Sequence, residues 1–408
     1  MWQTKKLNEV CDIQSGLWKG KKEPYTKALV LRNTNFTASG VFDYSNVVEL
    51  EVEAKQLATR EVLKNDIILE KSGGGDKTPV GRVCIHDKES EIPFSFSNFT
   101  ARIRVLDSKE LNAEFLHKFL YFLYISGKTE PMQRHSTGIR NLQLTQYKDI
   151  DVPLPPLAEQ ERIVAKLDAA FAEIDRAIIS SASKETEIQK LKTSLLRSSL
   201  NGDDIMWKKV KISDVCQIQP KKAQVKLKLK DSDEVSFMPM KDLGIQTIYP
   251  KSNQIKKLEK VYSSYTYFED NDILLAKITP CFENGKLGIA SNLINGVGFG
   301  SSEYIVLRCS EEVIPQYIYF CLNQPNFRII GENQMSGAVG HKRVPIEYVE
   351  NTEIYLPPIA DQERIVAKLD AANTEFRNAN EAIAKSKVNY LALKSAILSQ
   401  ELKSNEAA

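Results

Sequence analysis

The chain has 408 residues, 26% charged and 42% hydrophobic, the proportions of a globular protein of two or three domains. Lys and Arg total 55 against 53 Asp and Glu, a formal charge of +2, so any contact with nucleic acid must come from local basic surface or be shared with a partner. Apolar runs short of the about 18 residues of a membrane helix, no secretory stretch after Met1, and six cysteines without a Cys-x-x-Cys pair predict a cytoplasmic, reduced protein without membrane span, metal site or cofactor.

In chain order, β-rich runs bounded by turn residues predict strands over Ala28–Leu31, Asp66–Leu69, Val80–Ile85 and Ala101–Leu106, then a helix over Ala113–Ile125. Pro155-Pro156 ends an extended segment, and acids at Glu159 and Glu161 suit the first turn of a long helix. No Pro or Gly interrupts residues 157–200. A second body follows, with strands predicted over Val235–Met238, Asp272–Ile278 and Tyr304–Leu307 and a helix over Pro315–Leu322. Pro357-Pro358 then opens a second long helix from Ile359.

The two halves repeat at three places. Residues 154–170, LPPLAEQERIVAKLDAA, recur as 356–372, LPPIADQERIVAKLDAA; MWQTKKLNEVCDIQ at 1–14 is echoed by MWKKVKISDVCQIQ at 206–219; NDIIL at 65–69 is echoed by NDILL at 271–275. Between these anchors the bodies diverge. A period of about 200 residues is too long for a solenoid and fits a duplicated pair of domains. In the long helices a sustained 3.5-residue repeat is predicted. Its seams are Leu167, Ile174, Ser181, Ile188, Leu195 with Ile163, Ala170, Ala177, Lys184, Leu191, and Leu369, Phe376, Ile383, Tyr390, Ile397 with Ile365, Ala372, Ala379, Ser386, Leu393. Helices of about 60–65 Å cannot bury such stripes on a small body, so the two are expected to pair antiparallel. The fold class is therefore α+β, with two globular bodies, two long helices in an antiparallel coiled coil and a pseudo-two-fold internal repeat. Expected boundaries are 1–152, 153–202, 203–352 and 353–408.

Enzyme signatures are missing. In Lys71-Ser72-Gly73-Gly74-Gly75-Asp76-Lys77-Thr78, Asp76 separates glycine from lysine, which breaks the phosphate-cradle spacing. Both Pro-Pro steps are flanked by aliphatic residues and cannot grip a flipped base. His117 sits in an apolar helical context that predicts packing rather than catalysis. What is present is recognition chemistry: glycine-containing loops with Lys, Arg, Ser, Thr and Asn can approach a DNA backbone or base edge. They occur at Lys19/Lys21/Lys22, residues 71–82 and 134–141 in the first body, and at Lys221/Lys222, 277–286 and 340–343 in the second. Lys71 and Lys277 both follow the repeated Asn-Asp-aliphatic strand, and Gly138 and Gly340 stand at equal distances before the Pro-Pro steps.

The LPPLAEQERIV and LPPIADQERIV connectors, EKSGGGDKTPVGRV at 70–83, AKITPCFENGK at 276–286 and VSFMPM at 235–240 make the whole chain resemble the specificity subunits of type I DNA restriction–modification systems. The resemblance implies a non-catalytic reader of double-stranded DNA, with target-recognition domains at 1–152 and 203–352, each taking one half of an asymmetric, interrupted site. It implies spacing by the conserved helical regions at 153–202 and 353–408, docking of two methyltransferase (modification) subunits, and restriction subunits in the full complex. Expected DNA-binding residues are Lys71, Ser72, Gly73, Gly74, Lys77, Arg82, Arg140 and Asn141 in the first body, and Lys277, Thr279, Asn284, Lys286, Lys342 and Arg343 in the second. Expected partner-docking residues are Glu161, Arg162, Lys166, Glu363, Arg364 and Lys368. The rival reading is a coiled-coil scaffold that reads no DNA.

Overall fold

The structure is a computed structural model that describes residues 2–18, 20, 22–37, 39–75, 78–136, 138–201, 207–338 and 340–402. Lys19, Lys21 and Lys77 lie outside the described residues. The fold is mixed α and β, in two compact units: Met1–Ser181 with Ala384–Ala408, and Ala182–Ile383.

In the first unit a four-stranded antiparallel sheet runs in the order Cys11–Ser15, Thr100–Val105, Ile67–Glu70, Val83–Ile85. Alternation sends successive side chains to opposite faces. Ile67 and Leu69 join Phe115, Leu116 and Leu120 of helix Ala113–Ile125 in one core. Ile68 joins Leu31, Phe94 and Phe96 of a second sheet in another. Both faces are covered, which is why this strand reads as a continuous apolar run rather than an alternating one. A two-stranded clasp pairs Gln3–Lys6 with Asp151–Leu154, bringing the first residues of the body back to the start of the long helix.

The second unit repeats this plan despite its different sequence. Its central sheet has the order Cys216–Ile218, Tyr304–Cys309, Ile273–Ala276, Leu287–Ile289, and its clasp pairs Lys208–Lys211 with Glu353–Leu356. Its second sheet has four strands where the first unit has three. The repeated Asn-Asp-aliphatic motif has a common physical cause. Asn65 and Asn271 take a positive φ of 70°, which asparagine tolerates. The following Asp66 and Asp272 are buried, each accepting a backbone N–H and a two-pronged bond from an arginine on the neighbouring strand, Arg104 or Arg308.

The long helices run over Leu157–Leu200 and Ile359–Leu402. Within the first unit, Ile163 and Leu167 near the start of one share a core with Leu398 and Leu402 at the end of the other. Within the second, Leu196 and Leu200 share a core with Ile365 and Leu369. Start meets end in both, so the packing is antiparallel. One expected seam of each helix stays inward along its length, with Ile188, Leu195, Tyr390 and Ile397 half-buried. The companion seam turns outward at Lys184, Leu191 and Leu393, where Leu191 is 60% and Leu393 47% exposed, while Leu196, Leu200, Lys394 and Leu398 are buried. A straight helix has 3.6 residues per turn and drifts off a strict seven-residue pattern, which shifts the inward face from Leu191 to Leu196 and from Leu393 to Lys394.

His117 is packed, as its context predicts: it is 4% exposed, its Nε2 lies 3.4 Å from the Val83 carbonyl, and its ring stacks with Tyr121. Burial pushes its pKa down to about 4. A depressed imidazole pKa means the unfolded chain binds the proton first, so stability present above the ordinary histidine range is lost as pH falls toward 4. We expect this acid limb to amount to roughly 3 kcal/mol. Denaturant titrations between pH 7 and 4 should show it, and His117→Leu should flatten it; an unchanged slope in that variant would assign the limb to other groups.

Candidate nucleic-acid interface

Two segments predicted separately come together in each unit. In the first, Ser72–Gly74 forms the edge of a three-stranded sheet with the hairpin Gln133–Ser136 and Ile139–Leu142. Arg140 pairs with Gly74 and Asn141 with Ser72, with a bulge between them. The Leu142 N–H donates to the Lys71 carbonyl at 2.7 Å. In the second unit the Val344 N–H donates to the Lys277 carbonyl at 2.9 Å, the Thr279 N–H to the Lys342 carbonyl at 2.9 Å, and Ile278 bridges to Arg343. The two sites are therefore built on one backbone plan.

The first site carries mixed polar chemistry. Ser72 Oγ donates to Asn141 Oδ1 at 2.5 Å. This leaves the Asn141 amide group and the second lone pair of its oxygen for a further partner. Gly73 has φ +113°, and a Cβ there would stand 2.6 Å from Asn33 Nδ2, which donates to the Ser72 carbonyl. Both the conformation and the close approach demand glycine. Gly74 is buried, and a Cβ would meet the Thr78 carbonyl at 2.3 Å. The half-buried Lys71 ammonium lies 3.5 Å from Ser15 Oγ, and burial lowers its pKa. Arg140 is half-buried on the strand.

Arg82 is engaged within the fold. Its guanidinium makes two 2.7 Å bonds to Glu70, a third to the Phe36 carbonyl at 3.1 Å, and its pKa is raised by Glu70. It thereby ties the glycine-rich loop to the body.

In the second site Asn284 and Lys342 are exposed, and Lys277 is half-buried. Thr279 Oγ1 donates to Glu283 at 2.8 Å, and Lys286 Nζ to the Met240 carbonyl at 2.6 Å. Arg343 grips Glu303 with bonds of 2.9 and 2.7 Å, which holds the Glu303 carboxyl below the usual range and raises the guanidinium. Among the helix-start charges, Arg162 pairs with Glu159, Lys166 with Glu401 and Arg364 with Asp361, at 2.7, 2.7 and 2.8 Å. Glu161, Glu363 and Lys368 are exposed.

Three participants escaped sequence reasoning: Asn33, Phe99 and Glu303. The carbonyl of Phe99 receives the N–H groups of Lys71 and Ser72 at 3.0 and 3.1 Å; that of Glu303 receives Lys277 N–H at 2.9 Å. The Ser-Asn step before Phe99 is a turn signal that could have marked the tip of the turn between strands Phe94–Phe96 and Thr100–Val105. Among the described residues, no group of three or more His, Cys, Asp or Glu could hold a metal ion, and no helix is long and apolar enough to cross a membrane.

A family model for the type I restriction modification DNA specificity domain matches residues 1–183 and again 205–401. The chain is 38% identical over 164 residues to the specificity subunit of the type I restriction enzyme EcoAI of Escherichia coli, covering 40% of this chain and 27% of that subunit. It is 40% identical over 161 residues to the EcoEI specificity subunit of Escherichia coli, covering 39% and 26%. These alignments thus span about a quarter of each relative. A longer alignment, 21% identical over 415 residues, covers 94% of this chain and 85% of the StySPI specificity subunit of Salmonella potsdam. Among solved structures, a chain from a study of complex assembly and conformational transition in the type I R-M system has a TM-score of 0.74 at 18% identity, covering 98% of this chain and 97% of its own. The HsdS subunit from Thermoanaerobacter tengcongensis has a TM-score of 0.57 at 18% identity, with 98% and 96% covered. Both share the fold.

Proposed function

The chain belongs to the type I restriction modification DNA specificity family, and from that premise we propose that it is a DNA-reading specificity subunit with no catalysis of its own. Residues 1–152 and 203–352 each read one half of a bipartite, asymmetric duplex target. Residues 153–202 and 353–408 space the halves and dock two modification subunits through Glu161, Arg162, Lys166, Glu363, Arg364 and Lys368. Methyl transfer and cleavage belong to modification and restriction subunits acting in the cytoplasm.

One observation carries this reading. Both units bring a post-strand lysine loop against a later basic segment with the same backbone bonds, Leu142 to Lys71 and Val344 to Lys277, yet fill that frame with different side chains. A shared frame with divergent contents is what reading two unlike half-sites requires. It gives Lys71, Ser72, Gly73, Gly74, Lys77, Arg140 and Asn141 to the first half-site, and Lys277, Thr279, Asn284 and Lys342 to the second. Arg82, Lys286 and Arg343, committed to Glu70, Met240 and Glu303, act as braces that hold the loops.

The test is co-expression with a type I modification subunit from the same genome, followed by single-molecule sequencing of host DNA for methylated bases. The expected result is a two-part motif with a fixed gap. Asn141→Ala should relax the first half only, by about 10- to 100-fold at one base pair, the range of a lost two-pronged contact to adenine. Lys342→Ala should weaken binding of the whole site without changing the motif and make the salt dependence shallower. A stable complex with modification subunits that methylates nothing would favour a scaffold instead.

A further inference from the structure

Resting on the DNA-reading proposal, we propose that the turn tipped by Phe99 in the first unit and Glu303 in the second sets each unit's base preference, with the Phe99 ring touching a base directly. The main chain of this turn is pinned on both sides of its tip. In the first unit Thr100 N–H and Oγ1 both donate to the Ser97 carbonyl, at 3.0 and 2.8 Å, and the Phe99 carbonyl holds the N–H groups of Lys71 and Ser72. In the second unit Tyr304 N–H donates to the Ser301 carbonyl at 3.2 Å, and the Glu303 carbonyl holds Lys277. None of these bonds uses the Phe99 side chain, so that ring can change without undoing the turn.

The two tips differ in chemistry. Phe99 is 46% exposed, and its Cδ1 lies 4.0 Å from where a Cβ on Gly73 would stand, beside the loop that carries Lys71 and Ser72. In the same turn Ser97 and Asn98 line a cavity of about 580 Å³ together with Trp18, which is 65% exposed, and Tyr25. Two exposed aromatic rings thus flank a rigid turn beside a lysine and amide cluster, a combination of π faces and cations suited to bases. A lone exposed phenylalanine would mean little. This one is held in register with the residues that would read the same half-site, and its ring suits apolar contact of the kind a thymine methyl offers in the major groove. In the second unit the tip is a carboxylate that fixes the Arg343 fork, a polar element in place of an apolar one.

The experiment uses the chain in complex with its modification subunits to select from randomised duplexes, comparing wild type with Phe99→Ala and Glu303→Gln. Phe99→Ala should lower the preference at one base pair of the first half-site by about tenfold or more and leave the second half-site and the melting temperature unchanged. Glu303→Gln should relax the second half-site alone. A uniform loss over all positions, or an unchanged motif, overturns the assignment of the tip. A wild-type complex that enriches no motif overturns the DNA-reading proposal itself, and this inference with it.

Discussion

Gln160→Leu should destabilise the first unit by about 4 kcal/mol, and Gln362→Leu should do the same to the second. Both side chains are fully buried. Gln160 Nε2 donates to the carbonyls of Glu110 and Pro155, at 2.9 and 2.8 Å, and its Oε1 accepts from Asn112 N–H at 2.8 Å. Gln362 reproduces the set with Glu312, Pro357 and Ile314, at 2.9, 2.9 and 2.9 Å. Leucine fills much the same space but leaves two carbonyls and an N–H dry and unpaired, each costing about 1–3 kcal/mol. The neighbouring Glu161→Ala, on the exposed face, should stay within about 0.5 kcal/mol. Denaturant unfolding of the four proteins checks this, with amide exchange at Asn112 and Ile314 reporting the local opening. If Gln160→Leu matched Glu161→Ala, water would be reaching the site and the joint would not be dry.

The glutamines also show where sequence reasoning stopped. In LAEQERIV they stand between acids at a helix start and read as solvated surface, because nothing local reveals the loop that closes over them. Helices Ala113–Ile125 and Pro315–Leu322 were legible to the residue, since turn signals and a continuous apolar face bound them. The repeated connectors were legible for the same reason. Strand Ser72–Gly74 was not, because a Ser-Gly-Gly segment has no strand propensity and takes its conformation from hairpin Gln133–Leu142. The meeting of Lys71 with Leu142 follows from long-range pairing that no local pattern encodes. Leu191 and Leu393 fitted the seven-residue count and turned outward because a helix of 3.6 residues per turn drifts off that count toward its far end.

The repeated Asp–Arg corner supplies the other large effect. Arg308 makes bonds of 2.8 and 2.7 Å to Asp272, whose side chain is 2% exposed, and a further contact of 3.0 Å to Glu269. Arg308→Met removes the counter-charge and leaves a buried carboxylate, which should cost about 3–5 kcal/mol. The pH dependence should change as well. Burial already raises the Asp272 pKa, against the pull of Arg308. Without the arginine the rise must be larger, so between the unfolded and folded values the native state binds more protons than the unfolded chain. Stability then falls as pH rises through that window, and the variant is least impaired in acid. Arg308→Met combined with Asp272→Leu should recover part of the loss, since an apolar pair of similar volume carries no stranded charge. Urea unfolding of the wild type, both single variants and the double variant, at pH 4 and pH 7, measures the coupling. A double variant no more stable than Arg308→Met would mean that the lost contacts of Arg308 with Glu269 and with the Tyr267 ring, 5.5 Å from the guanidinium, rather than the stranded Asp272 charge, set the cost.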